Sequence, residues 1–79
     1  MKLKSNENFE MLRFSDNRFE KITIEIQYKG EPVAQINQDK GKGNLEVEIM
    51  SDVNGLNQSL PLSAFIDSLI FARSLLIDE

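Results

Sequence analysis

The clearest pattern in the chain lies at residues 22–28, where Ile22, Ile24, Ile26 and Tyr28 alternate with Thr23, Glu25 and Gln27. Period two with β-branched residues on one side is what a strand with one buried face requires. Lys29-Gly30-Glu31-Pro32 supplies turn chemistry, with Gly30 free to take a positive φ. A weaker strand follows over residues 33–39, with Ala34 and Ile36 on one side. A second glycine turn, Lys40-Gly41-Lys42-Gly43, leads to Leu45, Val47 and Ile49 alternating with Glu46 and Glu48. Phe9–Phe14 reads as a short edge strand followed by a turn at Ser15-Asp16-Asn17-Arg18, although adjacent Met11 and Leu12 break its alternation. The expectation is therefore a meander of three or four strands. Residues 1–8 are polar and aperiodic, the pattern of a flexible end preceding a single domain over residues 9–79.

Register follows from the apolar rows, because a one-residue slip turns such a row to water. Placing Ala34 and Ile36 on the face of Ile24 and Ile26 sets Tyr28 opposite Pro32, with residues 29–31 as the loop. A two-residue Lys29-Gly30 turn would instead send Val33 and Gln35 to the core face. Asp39 opposite Asn44 aligns Ile36 with Val47. The expected apolar face is Ile22, Ile24, Ile26, Tyr28, Ala34, Ile36, Leu45, Val47 and Ile49.

After a polar connection at residues 51–59, broken by Gly55, Ser59 is a candidate N-cap and Pro61 fits a first helical turn. No Gly or Pro interrupts residues 62–77, so a C-terminal helix is expected there. Asp78 and Glu79 oppose the negative end of its dipole, so its last turn should fray unless a cation meets it. At ~100° per residue, Leu62, Phe65, Ile66, Leu69, Ala72 and Leu76 form one stripe, flanked by Ile70 and Ile77. This stripe is expected to cover the sheet, giving an α+β fold of two layers: an antiparallel meander covered on one face by a single helix. Ala64, Ser68, Phe71 and Leu75 form a second stripe, and a helix apolar on two faces is usually covered on both. That stripe suits a homodimer seam or a partner groove, or a cover formed by Phe9, Met11, Leu12 and Phe14. Arg73, within the main stripe, is expected to snorkel past the sheet edge or to pair with Asp78 or Glu46, with anion binding the lesser alternative.

Composition narrows the chemistry. The 79 residues contain no His, Cys or Trp, which removes disulfides, thiolate chemistry and the commonest general base and metal ligand. A net charge of −4 argues against nucleic acid as a partner. Residues 1–43 carry eight basic and seven acidic groups, residues 44–79 one basic and six acidic, so the negative potential belongs to the C-terminal half. Lys2 and Lys4 precede no apolar run, and Leu69-Ile70-Phe71-Ala72 falls far short of the ~20 residues that span a bilayer, so a cytoplasmic protein with no membrane association is expected.

On the other face of the sheet the register sets Glu25 beside Gln35 and Gln35 beside Glu48, with Thr23, Asn37 and Glu46 in the adjacent row. Glu25, Gln35, Glu46 and Glu48 form either a solvated face or an acidic docking surface for a basic protein. A hard-cation site or a glycosidase-like carboxylate pair is disfavoured, because a flat sheet face does not exclude water. Seven serines lack a base partner, and Lys40 and Lys42 lack the spacing of a phosphate loop. No catalytic residue, metal site or cofactor is therefore expected.

Residues 28–38 with Leu45-Glu46-Val47-Glu48-Ile49, followed by Pro61-Leu62 and Phe65-Ile66, resemble the layout of small, acidic, non-catalytic immunity proteins of bacterial polymorphic-toxin and contact-dependent competition loci. The likeness covers residues 19–77 and rests on layout and turn placement. It implies a stoichiometric inhibitor that blocks a cognate toxin by binding it, and this chain's acidity would suit a basic nuclease. Two functions follow as expectations: a non-enzymatic protein-binding module of this inhibitory kind, or a homodimeric structural or regulatory domain.

Overall fold

The computed structural model describes residues 1–51, 55 and 57–78. Four strands, β1 (Phe9–Phe14), β2 (Thr23–Tyr28), β3 (Glu31–Asn37) and β4 (Glu46–Ile49), precede one helix, α1 (Leu62–Ile77). The strands form one antiparallel sheet in the order β1-β2-β3-β4, and the helix packs on one face of it. The two-layer α+β architecture expected from the sequence is the one observed. Part of the connection expected over residues 51–59 (Asp52, Val53, Asn54 and Leu56) and the terminal Glu79 lie outside the described residues.

Ile24 pairs with Ile36 and Ile26 with Ala34, as the apolar rows require. The turn itself is tighter than expected. Tyr28 pairs with Glu31 across a two-residue turn, in which Lys29 has φ 52° and Gly30 φ 84°. Positive φ at both central residues matches the right-handed strand twist. An irregularity between Ile26 and Gln27 leaves Val33 as the extra residue on β3, and this bulge restores the core register. The short turn and the long register thus coexist, and Val33 is buried alongside Ala34. Ile36 pairs with Val47, as expected.

β1 places Phe9 and Met11 in the core and Leu12 and Phe14 on the outer face. The Phe9 ring lies 4.7 Å from Tyr28 and 6.3 Å from Phe65, which ties β1 to both β2 and the helix. The N-terminal segment is not a free end. Leu3 N–H donates to the Phe9 carbonyl (3.0 Å), Met11 N–H donates to the Met1 carbonyl (2.7 Å), and Leu3 is buried. Residues 1–3 therefore cover the β1 edge, which would otherwise expose unpaired backbone groups.

The helix is rotated relative to the expectation. Ala64, Ser68, Ala72 and Leu76 face the sheet and are buried, with Phe65, Leu69, Phe71 and Leu75 half-buried against the core. Leu62, Ile66, Ile70 and Ile77 point away from it and are exposed. Small residues at 64, 68 and 72 bring the helix backbone close to the strands, as leucine or isoleucine at those positions would not. Pro61 occupies the N-cap with no side-chain cap, so Ser59 does not serve that role. At the other end Lys42 Nζ donates to the Ile77 carbonyl (3.3 Å), supplying the cation that the last turn needs.

Candidate interaction surface

The outer face of the sheet brings together the polar residues expected there and leaves only some of them open to water. Glu25 pairs with Gln35, Gln35 with Glu48, and Asn37 with Glu46. The connection between β1 and β2 (residues 15–22) folds over this face. Asp39 holds it, its carboxylate accepting from Glu20 N–H (3.1 Å) and Lys21 N–H (3.2 Å). Thr23, Gln35 and Asn37 are buried on this face, so it is solvated only in part, at exposed Glu46 and Glu48 and half-buried Glu25. Gln35 Nε2 donates to Thr23 Oγ1 (2.8 Å) and to Asp16 (3.2 Å), while its Oε1 accepts from Arg18 (3.2 Å).

Arg18 is the residue that the sequence pattern did not single out. Its guanidinium donates to both Glu48 oxygens (2.9 and 3.2 Å) and to Asp16 (2.9 and 3.1 Å). The hydrogen bonds to Glu48 and Asp16 raise the Arg18 pKa further above its ordinary value. Asp16 is lowered from 3.8 to about 2, chiefly by its side-chain hydrogen bond with Arg18 and then by the Arg18 backbone N–H. Glu46 is likewise paired, with Lys40 (3.0 Å), and Glu25 accepts from Gln27 (2.7 Å). Each of the four residues expected to bind a basic partner, Glu25, Gln35, Glu46 and Glu48, therefore already has a partner within the chain. This arrangement latches a loop to a sheet; among the described residues no group of three or more His, Cys, Asp or Glu is placed to hold a metal ion.

The second expected surface, the seam of Ala64, Ser68, Phe71 and Leu75, is the one the helix turns toward its own sheet. Ala64 and Ser68 are buried there, over β1 and β2, so they offer no seam to another chain. The cover expected as an alternative is partly realised: Phe9 and Met11 lie in the core beneath, while Leu12 and Phe14 are on the opposite face.

What remains open is a different apolar surface. Val47 and Ile49 belong to the helix-side row of β4, yet they are 49% and 63% exposed. A trough between β4 and the helix consists of two hollows, one lined by Val33, Ile49, Leu60 and Phe65 together with Ser51, Asn57 and Gln58 of the β4–helix connection, the other by Ile36, Leu45, Val47, Leu69 and Arg73. On the outward side of the helix lies the ridge of Leu62, Ile66, Ile70 and Ile77, of which Ile70 borders a hollow against Leu3, Lys4 and Ser5. Arg73 stands at the trough's wall and makes no ion pair among the described residues, neither with Glu46 nor with Asp78. No helix among the described residues is long and apolar enough to cross a membrane. No protein-family model, curated protein or solved structure matches the chain.

Proposed function

We propose that this domain acts by binding protein rather than by catalysis, and that the binding face is the helix ridge together with the trough over β4. The observation that carries the reading is the extent of the apolar surface. Val47, Ile49, Leu62, Ile66, Ile70 and Ile77 are each between 40% and 75% exposed, which at about 170–200 Å² per free aliphatic residue amounts to on the order of 600 Å². That is at the upper end of the range of about 300–600 Å² for the largest apolar patch on an ordinary monomer, and patches of that size often serve docking. The polar outer face supports the same reading from the other side, since Glu48 and Asp39 hold residues 15–22 while Glu46 is paired with Lys40 and Glu25 with Gln27. A stoichiometric inhibitor of the immunity type, which the layout resembles, is one form such a module takes. The net charge of −4 adds a long-range repulsion toward any acidic target that an apolar contact face must outweigh.

Site-specific photo-crosslinking in the native cells tests this. A photoreactive residue at Ile66 or Ile49 should yield discrete protein adducts, and the same group at exposed Lys21, on the opposite side of the sheet, should yield none. Equal labelling at all three positions, or adducts at Lys21 alone, would contradict the assignment of the face.

A further inference from the structure

The sheet is wider than its cover. Four strands at ~4.8 Å spacing present a face close to 20 Å across, and one helix with its side chains spans only ~10 Å. The helix lies over β1 and β2, so among the described residues no helix or strand covers the helix-side row of β4, whose Ile49 end is bordered by Ser51, Asn57 and Gln58. The same helix carries an apolar ridge on its outward side. A ridge one helix wide beside a trough one helix wide is self-complementary under a two-fold axis running between them. Resting on the protein-binding reading above, we infer that the partner is a second copy of this chain, with each helix lying in the trough of the other. The product is a sandwich of two sheets around a layer of two side-by-side helices. Each helix meets its own sheet through Ala64, Ser68, Ala72 and Leu76 and the partner's β4 through its ridge.

The register of this packing follows from the monomer. Phe65 stands level with Ile49 along the trough, and Leu69 and Arg73 stand level with Val47 and Leu45. A two-fold axis parallel to the helices preserves that height, so Ile66 of one copy meets Ile49 of the other, and Ile70 meets Val47. Area supports the arrangement: the on the order of 600 Å² of apolar surface per copy, with a polar rim, approaches the ~800 Å² per partner of a standard interface. Two copies of net charge −4 repel at long range, but the contact itself carries little of that charge. The ridge is flanked by one acid, Asp67, and one base, Arg73, and the glutamates of β4 point to the opposite face, paired with Arg18 and Lys40. Those same charges discourage strand addition at the β4 edge, which leaves the face, not the edge, as the route of assembly.

Sedimentation equilibrium of the full chain over a micromolar-to-millimolar dilution series tests the inference. The wild type should sediment at twice the chain mass, persisting at high salt, and Ile70→Glu and Ile49→Lys should each sediment as monomers with unchanged circular dichroism. Both positions are exposed in the monomer, so either variant remains informative if the other misfolds. A wild-type monomer throughout the series would overturn the inference, as would a dimer that survives both substitutions or one that Phe14→Glu on the outer face dissolves. A monomer whose Ile66 photo-adduct contains a different protein would overturn self-association while sparing the protein-binding reading; a monomer with no adduct would sink both.

Discussion

Ser68 and Ser74 form a matched pair that reports which side of the helix meets the sheet. Each hydroxyl donates to the carbonyl three residues back, Phe65 and Phe71 respectively, at 2.7 Å. Ser68 is fully buried and Ser74 is exposed. Leucine at either position brings the same small gain in helix propensity, so the difference between the two variants isolates packing. At position 68 the added carbons must force the helix away from β2 or into strained rotamers, at about 1–3 kcal/mol. Lifting the helix enough to expose ~50 Å² of Ala64, Ala72 and Leu76 adds about 1 kcal/mol at ~25 cal/mol/Å². Ser68→Leu should therefore lose about 2–4 kcal/mol, and Ser74→Leu should stay within about 0.5 kcal/mol of wild type. In a domain of this size about 3 kcal/mol lowers Tm by roughly 12–24 °C. Ser68→Ala should be close to neutral, because the Phe65 carbonyl keeps its helical N–H donor. Urea titration followed by far-ultraviolet circular dichroism reads all three. Equal effects at 68 and 74, or a larger loss at 74, would refute the helix orientation and the surface derived from it.

Acid titration should expose the loop latch. Because the Asp16 pKa is lowered from 3.8 to about 2, its contribution to stability is fully present above about pH 4 and is lost as the pH falls through about 2. The Asp16 carboxyl carbon followed by NMR should titrate near 2 in the wild type and higher in Arg18→Met, where the residue-18 backbone N–H and Gln35 still hold it below its ordinary value; a wild-type midpoint near 4 would mean that Arg18 does not hold it. Gly30→Ala meets no atom within 4 Å but must adopt φ near +84°. It should lose about 1 kcal/mol in a urea titration, and Lys29→Asn should gain a few tenths of a kcal/mol. A neutral Gly30→Ala would argue against the two-residue turn. Ile26→Ala, at a fully buried site, should cost about 2–5 kcal/mol by the same titration, and a cost under 1 kcal/mol would place Ile26 outside the core.

Much of the sheet was legible in the chain because its determinants are local. Alternation at residues 22–28 and 45–49 marks half-buried strands, and apolar rows select one register out of several. The Lys29-Gly30 turn required two facts at once, a tight turn and a bulge at Val33, and the sequence pattern alone framed these as competing options. Helix orientation was not legible. Leucine, isoleucine and phenylalanine ring α1 on several sides, so periodicity favoured the bulkier stripe; what decides is close approach, which the small residues at 64, 68 and 72 permit. The bulkier side chains are left outward, where they form the ridge. Arg18 was missed because its partner Glu48 lies 30 residues away, and nothing local indicates that residues 15–22 fold over the sheet. Leu3 between two lysines was the one signal that the N-terminus docks, and a single residue carries no periodicity.

The most direct test of the account uses the absence of cysteine, which allows a nitroxide to be attached at one chosen position. An unlabelled chain carrying Asp67→Cys, at the flank of the ridge, with the spin label is mixed with isotope-labelled wild-type chain, so that only contacts between copies broaden methyl signals. The account predicts broadening strongest at Val47 and Ile49 and absent at Leu12 on the outer face. Undiminished Val47 and Ile49 signals, or broadening centred on Leu12, would contradict it.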